Sequence, residues 1–291
     1  MSRRGHVFAG YHAGVIFLYF VGALVFTMSR MNPVTVGLSL VAGSAYAVYL
    51  KGLRAFGRTL RVCLPLWLLA AAVNPLVNSL GLTVLFTVGG VPITWEALCY
   101  GLTAGGMLAS VMIWFSCYQE IMTSDKFLSL FSRLAPVTAM MVAMTLRYIP
   151  DTIRRGREIS RAQAALQGRE PQGKAGRVRR GLRMASVLMS WSMENAMETA
   201  DSMKARGYGE GKRSVYRHER MTGRDGWALV LLVGLLAVGL WCVWQPEAEV
   251  RFYPFITMPA FSIVGTAAAG TALLFPLILE GKEWWLWRRC R

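Results

Sequence analysis

The sequence predicts an all-α, polytopic membrane protein with about six transmembrane helices and a helical cytoplasmic region between them. Hydrophobicity is the first observation behind this. Of 291 residues, 54% are hydrophobic, and 5–29, 31–50, 62–95, 97–119, 226–246 and 252–279 contain no Asp, Glu, Lys or Arg. A helix of about 20 apolar residues, rising 1.5 Å each, crosses about 30 Å of hydrocarbon, and every one of these stretches is long enough. Charge is the second observation: 32 Lys and Arg against 16 Asp and Glu give +16, and most of the basic residues lie between 120 and 225. The chain therefore divides into N-terminal transmembrane helices (1–120), a cytoplasmic or interfacial helical region (121–225) and C-terminal transmembrane helices (226–291).

The elements follow in order. The run 5–29 is span-length and has no small-residue cleavage site, so it reads as a retained anchor. A second span covers 31–50. The stretch 62–95 is too long for one crossing and contains Pro65, Asn74-Pro75, Gly81 and Gly89-Gly90. It predicts a helix to about Leu80, then a short non-helical or re-entrant piece whose backbone must be covered by protein. In the fourth span Gly101, Ala104, Gly105, Gly106 and Ala109 form a small-residue face suited to close internal packing. The uncharged run 134–146 is short for a span and reads as a helix near the interface or against the bundle, with a seventh crossing left open. The last two spans cover 226–246 and 252–279.

Within the basic insert, Pro150 breaks the pattern after Tyr148-Ile149, and a helix can restart there with proline in its first turn. It runs through Arg154, Arg157, Ile159 and Gln163 toward Gly168. Pro171 and three glycines make Gly168 to Gly176 a connector. From Arg177 a second helix carries an apolar face of Leu182, Ala185, Leu188, Met189, Met193, Ala196, Met197, Ala200 and Met203 at three-and-four spacing. Gly207 and Gly209 stop it.

With the N-terminus inside, every basic residue except Arg30 and Arg251 falls on the cytoplasmic side, and Lys51, Arg54, Arg58 and Arg61 in a short loop carry the rule. Both termini are then cytoplasmic, in a cell membrane. The five cysteines are isolated and fit neither a disulfide framework nor a metal spacing. Aromatic residues do not interleave with the insert's basic ones, so no nucleic-acid partner is expected. Arg177, Arg179, Arg180 and Arg183 suit lipid phosphates of the bilayer.

Gly168 to Lys174 has the spacing of a phosphate-binding loop, but Ala175 stands where Ser or Thr would hold magnesium, and no hydrophobic strand precedes it. His6, His12 and His218 have no nearby carboxylate pair in sequence. Glu194, Glu198 and Asp201 lie on one helix face close to Lys204 and Arg206, the pattern of a solvated, charge-paired face. These features predict neither a catalytic constellation nor a cofactor. Ion-coupled transporters place ionisable residues inside their spans; here Glu96 and Glu120 flank one.

Certain residues in order carry a resemblance: Asn74-Pro75-Leu76, Met122 to Phe127, Thr145 to Pro150, Arg161-Ala162-Gln163 and Lys204-Ala205-Arg206-Gly207-Tyr208-Gly209. In these, and over most of its length, the chain resembles the transmembrane T component of bacterial energy-coupling factor (ECF) transporters. The resemblance implies a non-catalytic scaffold joining two cytoplasmic ABC ATPase subunits to a membrane-embedded substrate-capture protein for vitamin or metal-ion uptake. It further implies two short coupling helices, each with an Ala-Arg-Gly-type motif docked in one ATPase. The second motif is intact at Ala205, Arg206 and Gly207. The first reads Ala165-Leu166-Gln167-Gly168, where Leu166 replaces the arginine if aligned on alanine and Gln167 if aligned on glycine. Two unequal motifs suggest two non-identical ATPase chains.

The residue types suit docking. Alanine admits close approach, arginine presents five donors in a planar fork, and glycine allows a left-handed helix end. The plain competing reading has Arg206 capping its own helix or meeting Glu210. The competing functional reading is the permease of an ordinary ABC importer, lining the substrate path itself.

Overall fold

The structure is a computed structural model that describes residues 8–78, 81–88, 91–132, 135–166, 173–211, 221–245, 250–253, 256–257 and 263–289. A 3-10 turn (Phe8–Gly10) leads into α1 (Ala13–Met28), α2 (Pro33–Lys51) and α3 (Leu53–Val77). A hairpin of β1 (Val84–Val88) and β2 (Val91–Thr94) precedes α4 (Trp95–Ile121) and α5 (Ser124–Phe131). Then come α6 (Pro136–Leu166), α7 (Lys174–Ala205), α8 (Gly223–Trp244) and α9 (Ile263–Arg289). The chain forms two compact units, one of Met1–Phe127 with Glu219–Arg291, the other of Leu128–His218.

Among the described residues, α2, α3, α4 and α8 are long and apolar enough to cross a membrane. Helix α1, with 16 residues, and the apolar part of α9, Gly265–Gly281, are shorter. The all-α class holds with one exception: the non-helical piece expected after the third helix is an antiparallel hairpin, with Val84 opposite Thr94 and Val88 opposite Val91. Glu96, in the first turn of α4, ties down its base by accepting from the Thr83 amide (3.3 Å) and hydroxyl (2.5 Å).

The first unit is centred on Trp114, fully buried in α4. Its ring meets Tyr19 and Phe20 of α1 edge-on at 5.9 and 6.3 Å, and Tyr46 of α2 at 6.4 Å. Gly43 opens the space on α2, since a Cβ there would lie 3.3 Å from the indole. Tyr19 donates to the Leu273 carbonyl at 2.7 Å, joining α1 to α9. The small-residue face of α4 packs internally, as expected. A Cβ at Gly105 would lie 2.6 Å from Trp67 Cδ1 and 2.8 Å from the Trp67 carbonyl oxygen, and one at Gly106 3.2 Å from Val36. This closeness lets Trp67 donate to the Leu102 carbonyl (2.8 Å) and Asn74 to the Ala97 carbonyl (2.7 Å).

In the second unit the expected break at Pro150 is absent. Pro150 lies inside α6, so the uncharged run from Pro136 and the insert's first helix form one element. Proline removes one hydrogen bond, and the carbonyl left without a donor belongs to Leu146, an exposed residue. The second helix begins at Lys174 rather than Arg177.

Gly105→Ala should lower stability by about 1–3 kcal/mol through overlap with Trp67, whereas Gly37→Ala, where a Cβ meets nothing within 4 Å, should be neutral or stabilising by up to about 1 kcal/mol. Thermal unfolding of the two variants in one detergent compares them directly.

Candidate functional site

The intact motif closes α7. After Ala205 the chain turns left-handed at Gly207 (φ +74°), the Tyr208 amide donates to the Met203 carbonyl (3.0 Å), and the Gly207 amide donates to the Lys204 carbonyl (2.9 Å). These two bonds are a Schellman cap, which satisfies the last carbonyls of a helix with backbone donors alone and favours glycine at its left-handed position. The Arg206 amide is shared between the Ser202 and Met203 carbonyls, each at 3.2 Å. A second left-handed glycine, Gly209 (φ +101°), continues the turn.

The cap leaves the Arg206 side chain unused. Ala205 and Arg206 are exposed, and among the described residues no carboxylate pairs with the Arg206 guanidinium. Glu210 lies instead beside Gly207, where a Cβ would be 3.4 Å from its Oε2. Among the described residues Arg206 makes no ion pair with Glu210. Lys204 and Arg206 add positive charge at a helix C-terminus, where the helix dipole favours it.

The other expected contact lies at the end of α6. Ala165 is exposed in its last turn and Leu166 is its final residue. Gln167 and Gly168 lie outside the described residues. The phosphate-loop-like stretch falls between α6 and α7, so the element before it is a helix.

Contacts between α6 and α7 place the two ends. Tyr148 and Thr199 share a hydroxyl hydrogen bond at 2.9 Å. The Arg155 guanidinium lies over the Trp191 ring at 5.3 Å, a cation–π contact. Gly156 is buried, and a Cβ there would lie 3.6 Å from both Leu188 and Met184. As α6 advances from 148 to 156, its partners recede from 199 to 184, so the helices run antiparallel and these contacts lie near their midpoints. Ala165 and Ala205 then stand roughly 13 residues beyond the crossing on opposite arms, about 20 Å each at 1.5 Å per residue. The two expected contacts are at opposite ends of one crossed helix pair.

The sequence identified both ends but missed the crossing. Tyr148 entered only beside the expected break at Pro150 and in the resemblance, and Thr199, Arg155, Trp191 and Gly156 carried no signal beyond helical periodicity. The apolar face expected on α7 is split as well: Leu188 turns toward Gly156 of α6, while Leu182, Met189, Met193 and Met197 are exposed.

Gly207→Ala should cost roughly 1–2 kcal/mol, the penalty of a side chain in the left-handed region, and hydrogen exchange at the amides of 207 and 208 should quicken. Gly211→Ala, with no positive φ and open space around it, should leave both unchanged.

No model of a known protein family matches this chain, and none of the curated proteins does.

Proposed function

We propose that this chain is the transmembrane coupling component of an ATP-driven importer of the energy-coupling factor type. It carries no chemistry of its own and passes motion from two cytoplasmic ATPase subunits to a separate membrane protein that captures a vitamin or metal ion. The observation that carries the reading is Arg206: exposed, without a carboxylate partner among the described residues, and placed on a helix end whose cap is complete without its side chain. A guanidinium on a rigid, closely approachable tip is suited to donate to a partner's carboxylates or carbonyls in two-pronged fashion.

The crossed helices support the same reading. A pair pinned at Tyr148–Thr199 and Arg155–Trp191 behaves as two levers sharing a pivot, and each free arm ends in one expected ATPase contact. Ala205, Arg206 and Gly207 serve one ATPase; Ala165, Leu166, Gln167 and Gly168 serve the other, which meets no arginine and is therefore a different chain. In this reading α1 and the apolar part of α9 join α2, α3, α4 and α8 to make six crossings, with both termini in the cytoplasm of a bacterial cell.

Arg206→Ala should remove charge-assisted hydrogen bonds worth roughly 1.5–3 kcal/mol, about a 10- to 150-fold loss of affinity at one ATPase. Leu166→Ala and Gln167→Ala should each cost less. Co-purification of the ATPases with the three variants decides the matter, and equal yield with and without Arg206 would remove the docking role.

Orientation has its own check in a chain freed of its native cysteines. A cysteine at Ala165 or Gly211 should react with an impermeant thiol reagent only from the cytoplasm, and one at Glu247 only from outside.

A further inference from the structure

The end of α2, the first turns of α3 and the last turn of α4 surround a cavity of about 390 Å³ whose polar lining is Lys51, Arg58, Thr59 and Glu120. Gly52, with φ +76°, makes the corner between α2 and α3. Lys51 donates to Ser116 of α4 at 2.7 Å, which fixes its ammonium and leaves it two further donors. Two positive charges, one negative charge and a hydroxyl thus line a space of headgroup size.

An apolar lane continues from the cavity. Helical periodicity puts Val62, Leu66, Leu69 and Val73 on the side of α3 that carries Arg58 and Thr59, and all four are exposed. The side of α3 that meets α4 carries Trp67, Ala71 and Asn74 instead, so α4 leaves the lane open. From Val62 to Val73 it runs about 16 Å at 1.5 Å per residue, and α3 is one of the helices long and apolar enough to cross a membrane. A headgroup-sized polar cavity above an apolar lane on such a helix matches the two ends of one lipid molecule.

We propose that the cavity and lane hold a single phospholipid with a primary-amine headgroup. Its phosphodiester lies between Lys51 and Arg58, with the Thr59 hydroxyl donating to a phosphate oxygen; its ammonium meets Glu120; one acyl chain follows Val62 to Val73. The amine follows from the charges. A purely anionic headgroup leaves the Glu120 carboxylate facing a phosphate, whereas a zwitterion with a compact ammonium gives each of the three charged side chains an opposite partner. Free phosphate would use Lys51 and Arg58 but neither Glu120 nor the lane.

The test is native mass spectrometry of the full purified chain in mild detergent, with phosphatidylethanolamine, phosphatidylglycerol or inorganic phosphate added in turn. The unaltered chain should retain the ethanolamine lipid about tenfold better than the glycerol lipid, the ratio of roughly one charge-assisted bond. Arg58→Ala should lower that retention about tenfold and Arg58→Lys should restore most of it. Glu120→Gln should bring the two lipids level, and Leu69→Asn should weaken both lipids together. Circular dichroism of each variant confirms unchanged helix content. Equal retention of the two lipids by the unaltered chain would overturn the amine assignment. Unchanged retention in Arg58→Ala, or displacement of the lipid by inorganic phosphate at equal concentration, would overturn the site.

Discussion

A helix surrounded by apolar groups has no water to satisfy a stray polar atom, and Ser39 is where the first unit meets that constraint most tightly. Its hydroxyl is fully buried among three helices. Thr27 spends its proton on the Ala23 carbonyl (2.7 Å), so the 2.7 Å contact between Thr27 and Ser39 has Ser39 donating. Ser39 then accepts from Ser110 at 2.8 Å and from the Trp114 indole at 2.9 Å. One donor and two acceptor positions are all a serine hydroxyl has, and all are in use. The chain of bonds joins α1, α2 and α4, and it sets the ring of Trp114 around which Tyr19, Phe20 and Tyr46 pack.

The second unit follows a different logic. Its two long helices touch through a few specific contacts near their middles, with the buried Gly156 among them, and leave large apolar side chains such as Met189, Met193 and Met197 exposed. Helices in a stable core bury such faces; this pair leaves them open. The Schellman cap at Gly207 belongs to the same design. It closes the end of α7 with backbone bonds alone, so the cap does not call on the Arg206 side chain.

The candidate site was partly legible before the fold was known. Glycine after the last residue of an apolar period is a local signal, and it located the end of α7 and its arginine. The Tyr148–Thr199 bond spans 51 residues, and Arg155 reaches Trp191 across a connector; periodicity cannot pair such positions. The charges at Lys51 and Arg58 were legible only as a topology signal. That they share a cavity with Glu120, far along the chain, depends on α3 lying against α4.

The sequence by itself determined the membrane class, the order of the long apolar segments, the small-residue face of α4 and the glycine that ends α7. Each is written in composition or in spacing within one or two helical turns. Tertiary structure decided the rest: that α6 runs unbroken through Pro150, that 84–94 pairs as a hairpin, that α6 and α7 meet near their midpoints, and that Ser39 satisfies three partners. These outcomes depend on which surfaces meet, and the free energy of a contact between distant segments belongs to the pair, not to either segment alone.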